Sequence, residues 1–178
     1  KESISYLASE VRENIDGTAR ALLEILKHQA AQKAEYIAFD QLSGRLEQVR
    51  SELHDVHRVL MNVFYLFFGE LIAKKVRARV DPTRVQARFD YDSIHVCIYY
   101  IVENAAKYTR RNSDFSVTVN QNNDGLVDIR FSMESLSIKP DEREKIFEEG
   151  FSGVNAIDAR LNGTGLGLYL ARSMARIN

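Results

Sequence analysis

Two clusters in the second half of the chain stand out by residue type and spacing, and the first could hold a phosphate. The first is Gly163-Thr164-Gly165-Leu166-Gly167, three glycines at spacing two, followed by a helical run from Leu168 to Arg172. Glycine lets backbone approach a ligand closely and take positive φ. A helix that opens straight after such a loop offers unpaired N–H groups and a positive dipole end to an anion. The second cluster is Asn104 and Lys107, one turn apart on a predicted helix and flanked by Tyr100 and Tyr108. A tight loop with no ligand also carries glycines, so the surrounding elements decide between the two readings.

Composition bounds those elements. The 178 residues carry 24 basic and 25 acidic side chains, a formal net charge of −1, which gives no support for general nucleic-acid affinity. A hydrophobic share of 45% suits one or two domains with real cores. The single cysteine, Cys97, excludes an internal disulfide and a cysteine zinc site, and its apolar helical stripe makes it a buried thiol. The densest apolar piece, Val63 to Phe68, is too short to span a bilayer, and no signal-peptide pattern is found. A soluble, cytoplasmic chain with no membrane insertion of its own is expected, either free or the cytoplasmic portion of a larger membrane-bound sensor.

Along residues 1–34, Ala8, Val11, Ile15, Ala19, Leu22, Leu26 and Ala30 recur three and four apart, an amphipathic helix interrupted only by Gly17. Phe39, Leu42, Leu46, Val49, Leu53, Val56, Leu60, Val63 and Phe67 continue the same steps and predict a second helix with a heptad seam. A short connection near Ala34–Tyr36 would make an antiparallel hairpin. Two hairpins would cover each other's apolar faces, so a four-helix bundle and a homodimer through residues 1–62 are expected.

Residues 63–178 read as an α/β sandwich. Val76–Val80 and Arg84–Phe89 predict short strands, and Asp92 predicts the N-cap of a helix running to Tyr108. Phe115–Val119 and Leu126–Met133 flank Asn122-Asn123-Asp124-Gly125, a hairpin signature, and Pro140 opens a helical turn to Phe147.

A helical hairpin followed by an α/β domain with Glu103-Asn104-Ala105-Ala106-Lys107-Tyr108-Thr109 on a helix resembles the core of two-component sensor histidine kinases. That core joins a dimerisation and phosphotransfer bundle to an ATP-binding domain of the GHKL (Bergerat) type. The resemblance makes residues 103–109 an N box, with Asn104 holding Mg²⁺ and Lys107, beside Tyr108, reaching the phosphates of ATP. Ile146-Phe147-Glu148-Glu149-Gly150-Phe151 is similar to the F box, and Gly163, Thr164, Gly165, Leu166 and Gly167 form an intact G2 box. The family also closes its sheet with two strands after the following helix, and here the sequence ends at Asn178 before them.

Two departures set limits. Met133-Glu134-Ser135-Leu136-Ser137 aligns with the G1 box, so Met133 stands for the Asp that reads the adenine amine, and two serines stand for glycines. Leu7-Ala8-Ser9-Glu10 is similar to the H box, with Ser9 in place of the phosphoacceptor His and Glu10 beside it as a nominal base. A thioether is a weak acceptor, and a serine hydroxyl needs a base where an imidazole does not. The expectation is a degenerate kinase that signals by dimerisation and protein contact, with ATP and Mg²⁺ bound weakly or not at all. Response-regulator, phosphotransfer or kinase proteins would be its partners. The alternative is an active ATP-dependent kinase that phosphorylates a partner or an unusual acceptor. A third reading, another kind of GHKL ATPase, is disfavoured by the N-terminal heptads.

Overall fold

The computed structural model describes residues 2–43 and 49–178. Helices α1 (Glu2–Glu13) and α2 (Ile15–Leu42) come first, then strand β1 (Ser51–Asp55), helix α3 (Val56–Ala73) and strands β2 (Arg77–Val80) and β3 (Gln86–Asp90). Helix α4 (Tyr91–Tyr108) leads to the hairpin β4 (Asp114–Gln121) and β5 (Val127–Met133). Two 3₁₀ turns at Pro140–Glu142 and Lys145–Phe147, a short helix α5 (Val154–Asp158) and helix α6 (Gly167–Arg176) complete the chain. A helical N-terminal region followed by an α/β sheet domain is the expected class.

Inside that class, the hairpin reading is corrected. Helix α2 runs unbroken through residues 34–36, where no glycine or proline interrupts it, and Ala34, Ile37 and Ala38 are buried against the helices of the sheet domain. The second leg is not one helix: residues 51–55 form a strand paired antiparallel with Gln86–Asp90, from Ser51↔Asp90 to Asp55↔Gln86. Helix α3 starts only where the Asp55 carboxylate accepts the Arg58 N–H at 2.9 Å. A short apolar run has the same look in a helix and in a strand, and here the ladder with β3 and the Asp55 cap decide the outcome. Leu46 of the predicted seam lies outside the described residues. The expected division between residues 62 and 63 falls in the middle of α3.

Smaller corrections have similar causes. The first helix breaks at Asn14 instead of Gly17, and the Asn14 side chain accepts the Gly17 N–H at 2.9 Å, capping α2. The cap of α4 is Asp90, not Asp92: its carboxylate accepts the Ser93 N–H at 2.9 Å. The strands, the β4–β5 hairpin with Gly125 at φ +82° and the turns after Pro140 follow the expectations.

Strands β2, β4 and β5 form one sheet in that order, β2–β4 parallel and β4–β5 antiparallel. Inward residues Val127, Ile129, Phe131 and Met133 alternate with exposed Asp128, Arg130 and Ser132 along β5, so one face is wet and the other packed. Helix α3 is apolar and, at 18 residues, long enough to cross a membrane by length and composition. Its Leu60, Val63, Phe64, Phe67 and Leu71 are instead wholly buried. They meet α4 and the sheet, with Phe64 stacked on Phe115 at 5.3 Å and Phe67 tilted on Tyr99 at 5.4 Å. Cys97 is buried, as expected, and desolvation pushes its thiol up to about 11. Helix α2 is fastened to this core by an ion pair from Lys27 to Glu70 and another from Lys33 to Asp92 at 3.0 Å.

Candidate functional site

A cavity of about 410 Å³ opens between α4, the end of β5, the segment 135–156 and the glycine loop. Its size and its mostly apolar lining with a few convergent polar groups suit a small-molecule site. Asn104, Lys107 and Tyr108 line it from α4, Gly163, Thr164, Gly165 and Gly167 from the loop, and Met133 from β5. The structure thus gathers most of the predicted residues in one place.

The wall made by α4 and the loop brings together an unpartnered amide, an ammonium and a helix end without a side-chain cap. The Asn104 Nδ2 is fully buried and has no hydrogen-bond partner among the described residues, and a Cβ on Gly167 would stand 3.3 Å from it. A buried donor without a partner is costly, and a ligand oxygen would remove that cost. The Lys107 ammonium lies against Gly163, 3.0 Å from where a Cβ would be. Helix α6 opens at Gly167 with no side-chain cap, and its first residues, Gly167 and Leu168, line the cavity. Gly165, at φ +73°, crosses the Gly150 backbone so tightly that a Cβ would sit 2.4 Å from the Gly150 carbonyl carbon.

The opposite wall is largely apolar, and its polar groups are partly engaged with one another. Thr109, buried after the last turn of α4, shares its hydroxyl proton between the Ala105 carbonyl (2.6 Å) and the Met133 sulfur (3.2 Å). Met133 is held there by the register Phe115↔Met133 and by the Arg110 N–H donating to the Glu134 carbonyl at 2.8 Å. The Glu134 carboxylate pairs with Arg110 at 2.6 Å, so it is not a substitute acceptor for the cavity. Ser135 Oγ donates to the Leu136 carbonyl, and the Asn155 amide donates to Ser137 O at 2.7 Å and Ser137 Oγ at 3.0 Å.

Four expected residues lie elsewhere. Phe147 is not in the wall; its ring sits beneath the Arg172 guanidinium at 5.2 Å, and Ile146 and Phe151 line the cavity in its place. The neighbour Leu168, not Leu166, reaches the lining. Ser9 and Glu10 stand exposed on α1, with Ser9 Oγ donating to the Tyr6 carbonyl at 2.8 Å, and neither belongs to the cavity. Tyr108 lines the cavity and also donates its hydroxyl to the Leu161 carbonyl at 3.1 Å, tying the segment before the glycine loop to α4.

Sequence reasoning missed residues whose roles exist only after folding. Glu142, 5% exposed, accepts the Val154 N–H at 2.9 Å and so fixes the start of α5 over the cavity. The Lys74 ammonium donates to the Ala106 and Lys107 carbonyls at 2.6 and 2.7 Å, capping the C-terminal end of α4. Glu103 also lines the cavity, and burial raises its pKa above the ordinary carboxylate value. Lys27 and Lys107 oppose the shift, while Glu70 and Glu35 add to it. A raised carboxylate pKa contributes stability that is present in acid and lost as pH rises through the folded-state value. Glu103→Gln therefore raises the thermal midpoint at about pH 7 and gives no gain at about pH 4, where the wild-type carboxyl is already largely neutral. Parallel melts of the two proteins across that range check it; an equal shift at both ends would refute the assignment to ionisation.

A two-layer α/β domain with this cavity between an Asn/Lys helix and a glycine loop is a GHKL-type ATP-binding domain. Residues 89–178 match the family described as histidine kinase-, DNA gyrase B-, and HSP90-like ATPase, and the chain belongs to that family. Among curated relatives, the histidine protein kinase SaeS of Staphylococcus aureus is 34% identical over 79 residues, 44% of this chain and 22% of SaeS. The chain thus spans about a fifth of the length of the relatives it matches. The mycobacterial sensor histidine kinase MprB shares the fold with a TM-score of 0.60 at 21% identity, over 71% of this chain and 78% of that one. Full-length ShkA, solved in complex with AMPPNP, aligns with a TM-score of 0.65 at 19% identity, over 90% of this chain and 33% of that one.

Proposed function

We propose that the chain is a degenerate core of a two-component sensor histidine kinase, which signals on the cytoplasmic side by dimerisation and protein contact. The observation that carries this reading is the Thr109–Met133 contact. Where an adenine amine would need a carboxylate, the wall offers a sulfur already engaged by a hydroxyl, and such a loss typically costs about 1–3 kcal/mol. Ser9, exposed on α1 with its hydroxyl turned to its own helix, supports the same conclusion for the acceptor.

Homodimerisation through the N-terminal helices is supported by Leu7, Val11, Ile15, Leu22 and Leu26, which leave an apolar stripe exposed along α1 and α2. A second copy would cover it, as in a helical bundle. With α2 ending at Leu42 and β1 starting at Ser51, we place the division between the two functional units in the segment 43–50 rather than at 62/63. Response regulators or other phosphotransfer proteins are the partners this reading implies.

The second reading, an active kinase with its acceptor on a partner, is favoured by the anion wall. The residues there fit the polyphosphate of ATP: Lys107 and the α6 N-terminus would hold phosphate oxygens, and Asn104 would hold the amide-bound Mg²⁺ that neutralises them. Calorimetric titration with ATP, with and without Mg²⁺, tests the first reading, and micromolar ATP binding would overturn it. Labelling with radioactive ATP then separates the two: the degenerate reading expects no incorporation into the wild type or a partner, and recovery in Ser9→His/Met133→Asp.

A further inference from the structure

We propose that the cavity selects a polyphosphate carrying a flat apolar ring with no hydrogen-bond donor on the edge that faces Met133, and that Met133 and Thr109 set this preference. The proposal rests on the nucleotide reading of the site and deepens it by naming the ligand class. It starts from the contrast between the two walls. One holds a buried, partnerless amide N–H, an ammonium and an uncapped helix end, all suited to an anion. The facing wall holds Met133, Leu136, Ile138 and Ile146, suited to an apolar ring.

The polar groups of that second wall are neutral, and part of their hydrogen-bonding capacity is used among themselves. The Met133 sulfur receives Thr109, and Ser135 and Ser137 are bonded to Leu136 and Asn155. Two carboxylates are found among the described residues that line the cavity, Glu103 and Glu142. Glu142 accepts the Val154 and Lys139 N–H groups at 2.9 and 3.4 Å. Glu103, next to Asn104 on α4, lies within electrostatic reach of Lys27 and Lys107. A ring amine pressed on Met133 therefore leaves a donor without a strong acceptor, whereas a ring C–H there meets a polarizable sulfur at no such cost. An apolar wall also has no means to demand a polar group, so it penalises the donor and accepts its absence.

The probe pair is ATP and purine riboside 5′-triphosphate, which differ in that the second carries hydrogen where ATP carries its 6-amine. Isothermal titration with the full chain in Mg²⁺ buffer is expected to show purine riboside triphosphate binding about tenfold more tightly than ATP. Met133→Asp inverts the order, and Met133→Leu, which keeps the wall apolar, preserves it. Equal affinities, or ATP the tighter ligand of the wild type, would overturn the proposal, as would an unchanged order in a folded Met133→Asp protein. Binding of neither triphosphate, with inorganic tripolyphosphate also silent, would overturn it too. The kinase question is read separately: phosphate incorporation by the wild type defeats the degenerate reading whatever the base preference, and a wrong base order with no incorporation defeats only this proposal.

Discussion

Gly165→Ala removes polyphosphate binding, with the affinity for inorganic tripolyphosphate falling at least about tenfold while the domain remains folded. Two effects combine at this position. The backbone is at φ +73°, where a Cβ costs about 1–2 kcal/mol for an L-residue. The new Cβ would also lie 2.4 Å from the Gly150 carbonyl carbon, 2.6 Å from its oxygen and 2.7 Å from the Phe151 nitrogen. These are backbone atoms, not the ends of flexible side chains, so the crossing of the two strands of the loop has to open. Opening it moves Gly163 away from Lys107 and Gly167 away from Asn104, which separates the groups of the anion wall. Gly125→Ala is the matched control: its φ is +82°, but no atom lies within 4 Å of its Cβ. It carries the backbone strain alone and leaves binding unchanged. Titration of both variants, with thermal melts to confirm folding, decides the matter. If Gly165→Ala binds tripolyphosphate as the wild type does, the loop is not the anion cradle.

That Asn104, Lys107 and the glycines share one cavity was readable in advance because their placement follows from local spacing. Asn104 and Lys107 share a helical stripe, and the glycines stand next to the helix whose end they expose. The two alternating segments around Asn122–Gly125 likewise announced the β4–β5 hairpin, since a turn and its strands are neighbours in sequence. What failed was the stretch from Phe39 to Phe67, where apolar residues three and four apart suggested one helix. Its true structure depends on a partner far along the chain: Ser51 pairs with Asp90, and only that ladder turns 51–55 into a strand. Periodicity also misjudged the use of α3, because a seam for a second copy and a face for the molecule's own sheet carry the same residues. Glu142, Lys74 and Asn155 were invisible for a related reason. Each satisfies backbone or side-chain groups of another element, at Val154, Ala106 and Ser137 respectively. No spacing rule encodes a contact that tertiary folding creates. Met133 was legible as a departure, but not Thr109's approach to its sulfur, which turns a missing carboxylate into a satisfied wall.

The role of α3 as the central core helix sets the largest stability effect. Phe67→Ala is expected to destabilise the chain by about 3–5 kcal/mol, which is a large part of the roughly 5–15 kcal/mol that holds a domain together. Phe67 is 0% exposed; its ring meets Tyr99 at 5.4 Å and lies under the Lys27 ammonium at 5.4 Å. Truncation thus leaves a cavity between α3 and α4 and removes the aromatic face on which α2 rests through Lys27. The same substitution on the outer side of the helix has no such consequence. Ile72 is 71% exposed, and Ile72→Ala should shift stability by no more than about 0.5 kcal/mol. Urea titrations of the two variants distinguish a helix that builds the sheet domain from a helix that serves as a dimer seam. In the seam case the loss at Phe67 would depend on protein concentration, because folding and association would be linked. In the structure described here, Phe67 is enclosed within one chain, so the loss is the same at every concentration.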